Sequence, residues 1–288
     1  MTSIAARLLT AAALFSLPAS AYAHRGWFLP SATVFSGTDS YVTVDAAISN
    51  DLFFADHQPM RLEQVRAWAP DGSEATIENG ATGRYRSTFD LKLDKPGTWK
   101  IGTQSSNVSG TFKLNGEERR VGGRGMGGAP GGPGGPVGAQ RPPAVAVADI
   151  PPDATDVKLT EAVMRNEIFV TAGAPTDRVF KPTGKGLELA PVTHPDELVA
   201  GETASFRFLV DGKPAAGVKV TVIPGGKRYR NGEDARDFAT GPDGVVKLSL
   251  PAAGMYWVNA SLTDDKPSAP RATQRRMGYT TTVEVLLP

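Results

Sequence analysis

The chain of 288 residues contains no cysteine. It therefore has no disulfide framework, no thiolate nucleophile, no thiolate metal site and no residue for lipoprotein-type acylation. Any metal chemistry has to use nitrogen and oxygen donors, which disfavours soft sites and leaves copper, nickel, cobalt, zinc and iron open. Histidine is scarce as well, with only His24, His57 and His194 present. There is no excess of one charge. Arg7 is the one charged residue among the first 23, and the remainder balances 30 basic side chains against 30 acidic ones. No global field is available to recruit nucleic acid, an anionic membrane or an acidic substrate. After the N-terminal region no apolar run approaches the ~18 residues that would suggest a membrane span. A Gly-x-Ser-x-Gly nucleophile elbow is missing, which leaves serine-hydrolase chemistry without support.

What is present begins with an export signal. Arg7 gives a basic start, Leu8 to Leu17 an apolar stretch, and Ala21-Tyr22-Ala23 the small residues a leader peptidase reads. Residues 1–23 are expected to be a signal peptide, with His24 the first residue of a mature chain of 265 residues. Such a length suits two domains better than one.

Between Val121 and Gln140 stand ten glycines and three prolines, followed by Arg141-Pro142-Pro143. This composition buries too little apolar area to offset its ordering entropy. Residues 119–152 are therefore expected to form a disordered linker or long loop between domains at 24–118 and 153–288. A phosphate-cradling loop is a poor alternative, because the Lys-Ser/Thr ending is missing.

Both flanking halves carry the two-residue period of β-strands. Val42, Val44, Ala46 and Ile48 alternate with polar residues, and Phe89, Leu91 and Leu93 lead through Asp94-Lys95-Pro96-Gly97 to Trp99 and Ile101. In the second half Phe206, Phe208 and Val210 reach the turn Asp211-Gly212-Lys213-Pro214, and Val218, Val220 and Val222 follow it. Short strands with regular turn chemistry predict an all-β chain of two β-sandwich domains, immunoglobulin-like or transthyretin-like. The one segment read as a short helix is Thr160 to Arg165.

Several stretches carry a resemblance. Gly186-Leu187-Glu188-Leu189-Ala190-Pro191-Val192, then Pro195, Leu198 and Gly201-Glu202-Thr203, resemble the signature of the DUF4198 family. Val210 to Val218, Thr240 to Gly244 and Leu250 to Gly254 fit the same pattern, as does a start at His24 followed by Trp27, Phe28 and Pro30. The resemblance implies a periplasmic β-sandwich protein associated with nickel or cobalt uptake, whose partner would be an inner-membrane metal transporter or a TonB-linked receptor.

Candidate ligands follow from the histidines. A terminal His24 offers its α-amine and ring Nδ1 to one ion, and His57 would add a third nitrogen, a brace suited to a divalent transition metal such as copper or nickel. Asp56 is a further ligand or the acceptor that orients the His57 ring. His194, in Val192-Thr193-His194-Pro195, is read chiefly as a turn residue and secondarily as a ligand. Three functions remain open: a non-catalytic metal-handling protein, an envelope interaction module in which the histidines are incidental, and, least favoured, a copper oxidase. Trp68, Trp99 and Trp257 read as core residues. Trp27 and Phe28 read as first-strand packing, with a pocket wall as the alternative. Lys227, Arg228 and Arg230, with Arg271, Arg275 and Arg276, read as a charge-balanced face in preference to an anion site.

Overall fold

A computed structural model describes residues 24–122 and 144–288. The expected signal peptide and most of the Gly/Pro-rich insert lie outside the described residues. The described chain is all-β, arranged in sheets of five, eleven and four strands.

The five-stranded sheet runs in the order Arg25–Pro30, Ser40–Ser49, Ser87–Leu93 and Glu78–Thr82, with Gln58–Pro59 added beside Ser40–Ser49. The alternation seen in the sequence decides which way its side chains point. Val42, Val44, Ala46, Phe89, Leu91 and Leu93 turn inward and pack with Phe28 on Ala67, Trp99, Ile101, Ile168, Val170 and Ala172 of the eleven-stranded sheet. The four-stranded sheet, with Leu187–Pro191, Thr203–Val210, Lys213–Pro214 and Val245–Ser249, covers another part of the same large sheet. Phe206, Phe208 and Leu248 there meet Val220, Val258, Met277 and Tyr279. Each such side chain, fully buried, contributes ~1.5–3 kcal/mol of transfer free energy before entropy is counted.

Two sandwiches are thus present, and they share a sheet. The strands Gly97–Leu114 and Thr155–Ala172, 18 residues each, pair antiparallel from Ala172 opposite Gly97 to Thr155 opposite Lys113. On its other edge Thr155–Ala172 pairs in parallel with Gln274–Leu286, from Thr160 opposite Gln274 to Ile168 opposite Thr282. Parallel strands need a long crossover, and here the remaining strands of the C-terminal sandwich supply it. Thr160 to Arg165, expected as a short helix, lies inside this doubly paired strand. Backbone pairing on both edges overrides the weak local helical pattern.

The ends of the expected 119–152 linker belong to the fold. Arg119 to Gly122 fall in the strand Glu117–Gly122, paired with the far end of Gly97–Leu114. Val145 bridges Val121 in parallel, Val147–Asp149 is a short 3-10 turn, and Ile150 is buried. Phe112, Val121, Ile150 and Leu159 form a small core of their own there. Gly122, at φ +59°, sits where an added Cβ would lie 2.0 Å from the Val108 carbonyl oxygen, so this close approach admits only glycine.

Candidate functional site

Strand register brings the first two histidines together. Ile48 faces Gly26 on one side and Gln58 on the other. Residues just before Gly26 and Gln58 therefore arrive at the same end of the strand Ser40–Ser49. His24 and His57 meet there as stacked rings, with centroids 3.6 Å apart and planes 7° from parallel. His24 is exposed and His57 half-buried.

The loop that delivers His57 is held from several sides. Asp56 accepts from the Asn50 backbone N–H at 2.9 Å and from its side-chain amide at 3.3 Å, closing the loop on itself. Ser49 donates to the Asp51 carbonyl and accepts from the Trp27 indole N–H, both at 2.6 Å. Across the junction Lys227 pairs with Asp51. Arg25 pairs with Glu233, donates to the Asn50 carbonyl at 3.1 Å and lies over the Trp257 ring at 5.7 Å. The Trp257 indole N–H donates to the Gly26 carbonyl at 3.2 Å. Arg25, Asn50 and Glu233 carry no signal in the sequence, and Trp257 reads there only as a core residue. Arg25 and Glu233 stand 208 positions apart, and no local pattern marks them as partners.

Nitrogen ligands sit ~2.0–2.1 Å from a transition metal, and the ion lies near the plane of each ring that binds it. Parallel stacked rings do not share one ion without rotation of at least one ring. The exposed His24 ring is the less confined of the two. Asp56, bound to Asn50, acts on the loop and makes no hydrogen bond to His57. Among the described residues no group of three or more His, Asp or Glu side chains is arranged to hold a metal. The third donor expected from the sequence is a backbone amine rather than a side chain.

His194 is buried in a different place. Its Nδ1 accepts from the Asp196 N–H at 3.1 Å, so Nε2 carries the proton and donates to Thr98 Oγ1 at 3.0 Å. Thr98 Oγ1 also accepts from the Thr176 N–H at 2.9 Å and lies 3.0 Å from Thr171 Oγ1, which donates to Asp196 Oδ2 at 2.6 Å. The lone-pair nitrogen of the ring is occupied, which favours the turn role over ligation. Burial lowers the His194 pKa below its usual value. Burial also pushes Asp196 up to about 7, with Glu284 and Glu197 adding to the rise and the Thr171 hydroxyl opposing it.

Glu188, within the family-like stretch, has a structural task too. It accepts from the Thr183 N–H and hydroxyl and from the Gly184 N–H, each at 2.8 Å, and faces Arg165 at 3.4 Å. Gly186 beside it has φ +67°, with an added Cβ only 2.8 Å from Val163 Cγ1. The basic residues are committed as well: Arg275 pairs with Asp211 and Asp264, Arg230 with Asp234, and Arg271 donates to the Ile150 carbonyl. The charge-balanced reading fits these pairings. Trp27, Trp99 and Trp257 are buried, whereas Trp68 is half-buried with Lys100 over its ring at 4.6 Å.

An all-β chain of sandwiches sharing one sheet is the class these observations define. Over residues 21–264 the chain matches the family described as "Domain of unknown function (DUF4198)", and it belongs to that family. No curated protein matches it. Among solved structures it is similar to the D0-D1 domain of intimin, at 11% identity over 90% of this chain and 97% of that one, with a TM-score of 0.21. The human OSCAR ligand-binding domain shows 12% identity over 92% of this chain and 100% of that one, with a TM-score of 0.20. A marsupial T cell receptor shows 9% identity over 92% of this chain and 73% of that one, with a TM-score of 0.18. Likenesses this distant carry no functional argument. Among the described residues no helix is long and apolar enough to cross a membrane.

Proposed function

We propose that this is an exported periplasmic protein that binds a divalent transition metal as cargo. The donors are the α-amine and ring of His24, once residues 1–23 are removed, together with the ring of His57. The observation that carries this reading is the contact between two of the chain's three histidines, 33 positions apart in sequence, with rings 3.6 Å apart. Asp56 contributes by fixing the loop that presents His57. His194 is left to its buried hydrogen bonds. Delivery to an inner-membrane transporter or a TonB-linked receptor would follow, in keeping with the nickel and cobalt association of the resembled family. The metal is carried and not used in a reaction, so no catalytic residue is assigned.

The deciding experiment compares the chain beginning at His24 with one carrying an extra N-terminal alanine, titrated calorimetrically with nickel and copper. Tight one-to-one binding that the added residue abolishes is the expected result. Equal binding by both chains, or by neither, would sink the terminal chelate. The second reading, a metal-free envelope interaction module, would then stand, favoured by the 90% exposure of Tyr229 beside the junction.

A further inference from the structure

A second feature of the junction is independent of the histidines. The turn after Ser40–Ser49 and two turns of the C-terminal sandwich line an open cleft of about 390 Å³. That volume lies in the range of small-molecule sites, ~300–1,000 Å³. Leu29 and Phe53 wall it from one sandwich, and Gly225, Ala253, Met255 and Tyr256 from the other. Its surface is mostly carbon. Arg230 is the one charged residue in the lining; its Nη atoms donate to the Pro224 and Gly225 carbonyls and its charge is paired with Asp234 at 2.8 Å, although the buried Nε makes no hydrogen bond.

Phe53 supplies a separate observation. It holds φ +60°, a left-handed conformation that is rare for a bulky residue. Strain of this kind costs ~1–3 kcal/mol and collects at ligand clamps. Here it sets the Phe53 ring edge-on to Trp27 at 5.7 Å and against the backbone of Gly225, where an added Cβ would lie 3.0 Å from the ring. Glycine at 225 and a left-handed Phe53 together leave the space open while bringing the two walls close. At the surrounding rim Arg25 pairs with Glu233 and Lys227 with Asp51, so the local field is neutral. Phe54 lies under Arg228 at 4.3 Å and Tyr229 stands almost fully exposed, which extends an aromatic surface outward.

We propose that this inter-sandwich cleft is a binding site for an uncharged, largely apolar small molecule. The absence of an unspent charge in the lining argues against an ionic ligand, because a buried unpaired charge on the ligand would go uncompensated. The largely apolar lining favours a hydrophobic body seated in the cleft.

The test uses the neutral fluorophore N-phenyl-1-naphthylamine with the chain from His24 onward, following energy transfer from Trp27 and Trp257. One saturable site per chain is expected, with the Met255 methyl resonance shifting on titration while those of the buried Met60 and Met277 stay in place. Ala253 is exposed at the mouth, so Ala253→Trp fills the site from its rim and should weaken binding at least tenfold without lowering Tm. Absent binding, non-saturable binding, or saturable binding that leaves Met255 unmoved would each overturn the proposal. The methyl measurement needs no substitution and decides the matter even if the tryptophan variant fails to fold.

Discussion

At the residue scale the most informative side chains are buried polar groups that the fold uses as structure. Asp196 titrates in opposition to its neighbour His194. Its pKa stands at about 7 in the native state against a usual 3.8, so between about pH 4 and 7 the native state holds a proton that the unfolded chain releases. Stability from this group is fully present below pH ~4 and is lost as pH rises towards 7, by at most ~4 kcal/mol. His194, with its pKa lowered, works the other way. Below pH ~6.5 the unfolded chain takes up a proton that the native ring refuses, so its contribution is present above ~6.5 and lost as pH falls. Asp196→Asn, which keeps an acceptor for Thr171, should therefore match the parent near pH 4 and exceed it at pH 8, by up to ~4 kcal/mol. Urea unfolding at the two pH values measures the difference, and equal stability at pH 8 would contradict the assignment.

Glu188 makes a second residue-scale case. Removing it leaves the Arg165 guanidinium, which is only 6% exposed, without that carboxylate, and leaves the Thr183 and Gly184 donors unpaired. Glu188→Ala should cost roughly 3–5 kcal/mol, on the order of 10 °C in Tm. Glu188→Gln, which keeps one acceptor, should lose distinctly less. Thermal melts that rank the two variants equally would mean that the Thr183 and Gly184 hydrogen bonds matter little. The family-like stretch around Glu188 was legible as a motif. Its role was not, because Arg165 lies outside the motif and becomes its partner only across strands.

At the scale of elements, legibility followed the alternation. Val42 to Ile48, Phe89 to Leu93 and Phe206 to Val210 could be read as strands because one face of each is buried and the other is wet. The far half of Gly97–Leu114 could not. Gln104, Ser105, Ser106 and Asn107 offer no apolar period, and that stretch is a strand only because Thr155–Ala172 pairs with it. The same lack of a signal made Thr160 to Arg165 look helical. The loop from Asn50 to His57 shows the point functionally: its sequence displays an Asp-His pair, but its position depends on Arg25, Lys227 and Glu233. Arg25→Ala removes an ion pair, a hydrogen bond and a ring contact at once. It should lower stability by roughly 1–3 kcal/mol and weaken nickel binding severalfold by loosening both histidines. Calorimetric titration alongside a thermal melt tests both effects. A melt shift with unchanged affinity would separate the loop from the proposed metal site.

At the scale of the whole molecule, the two sandwiches share one sheet, and this has a measurable consequence. Independent domains meeting at a small interface would unfold separately. Here Thr155–Ala172 contributes Ile168 and Val170 to the N-terminal core and Phe169 to the C-terminal one. Its backbone is bonded to Gly97–Leu114 on one edge and to Gln274–Leu286 on the other. Melting either sandwich would strip hydrogen bonds from one edge of a strand that the other still needs, and would expose one face of a common sheet. The two halves should therefore unfold in a single urea transition. Phe89→Leu in one core and Phe206→Leu in the other should each shift that common transition, by roughly 1–2 kcal/mol for the lost packing. Tryptophan fluorescence and circular dichroism should report the same midpoint in the parent and in both variants. A biphasic curve in which only one phase responds to each substitution would show that the shared strand does not couple the halves.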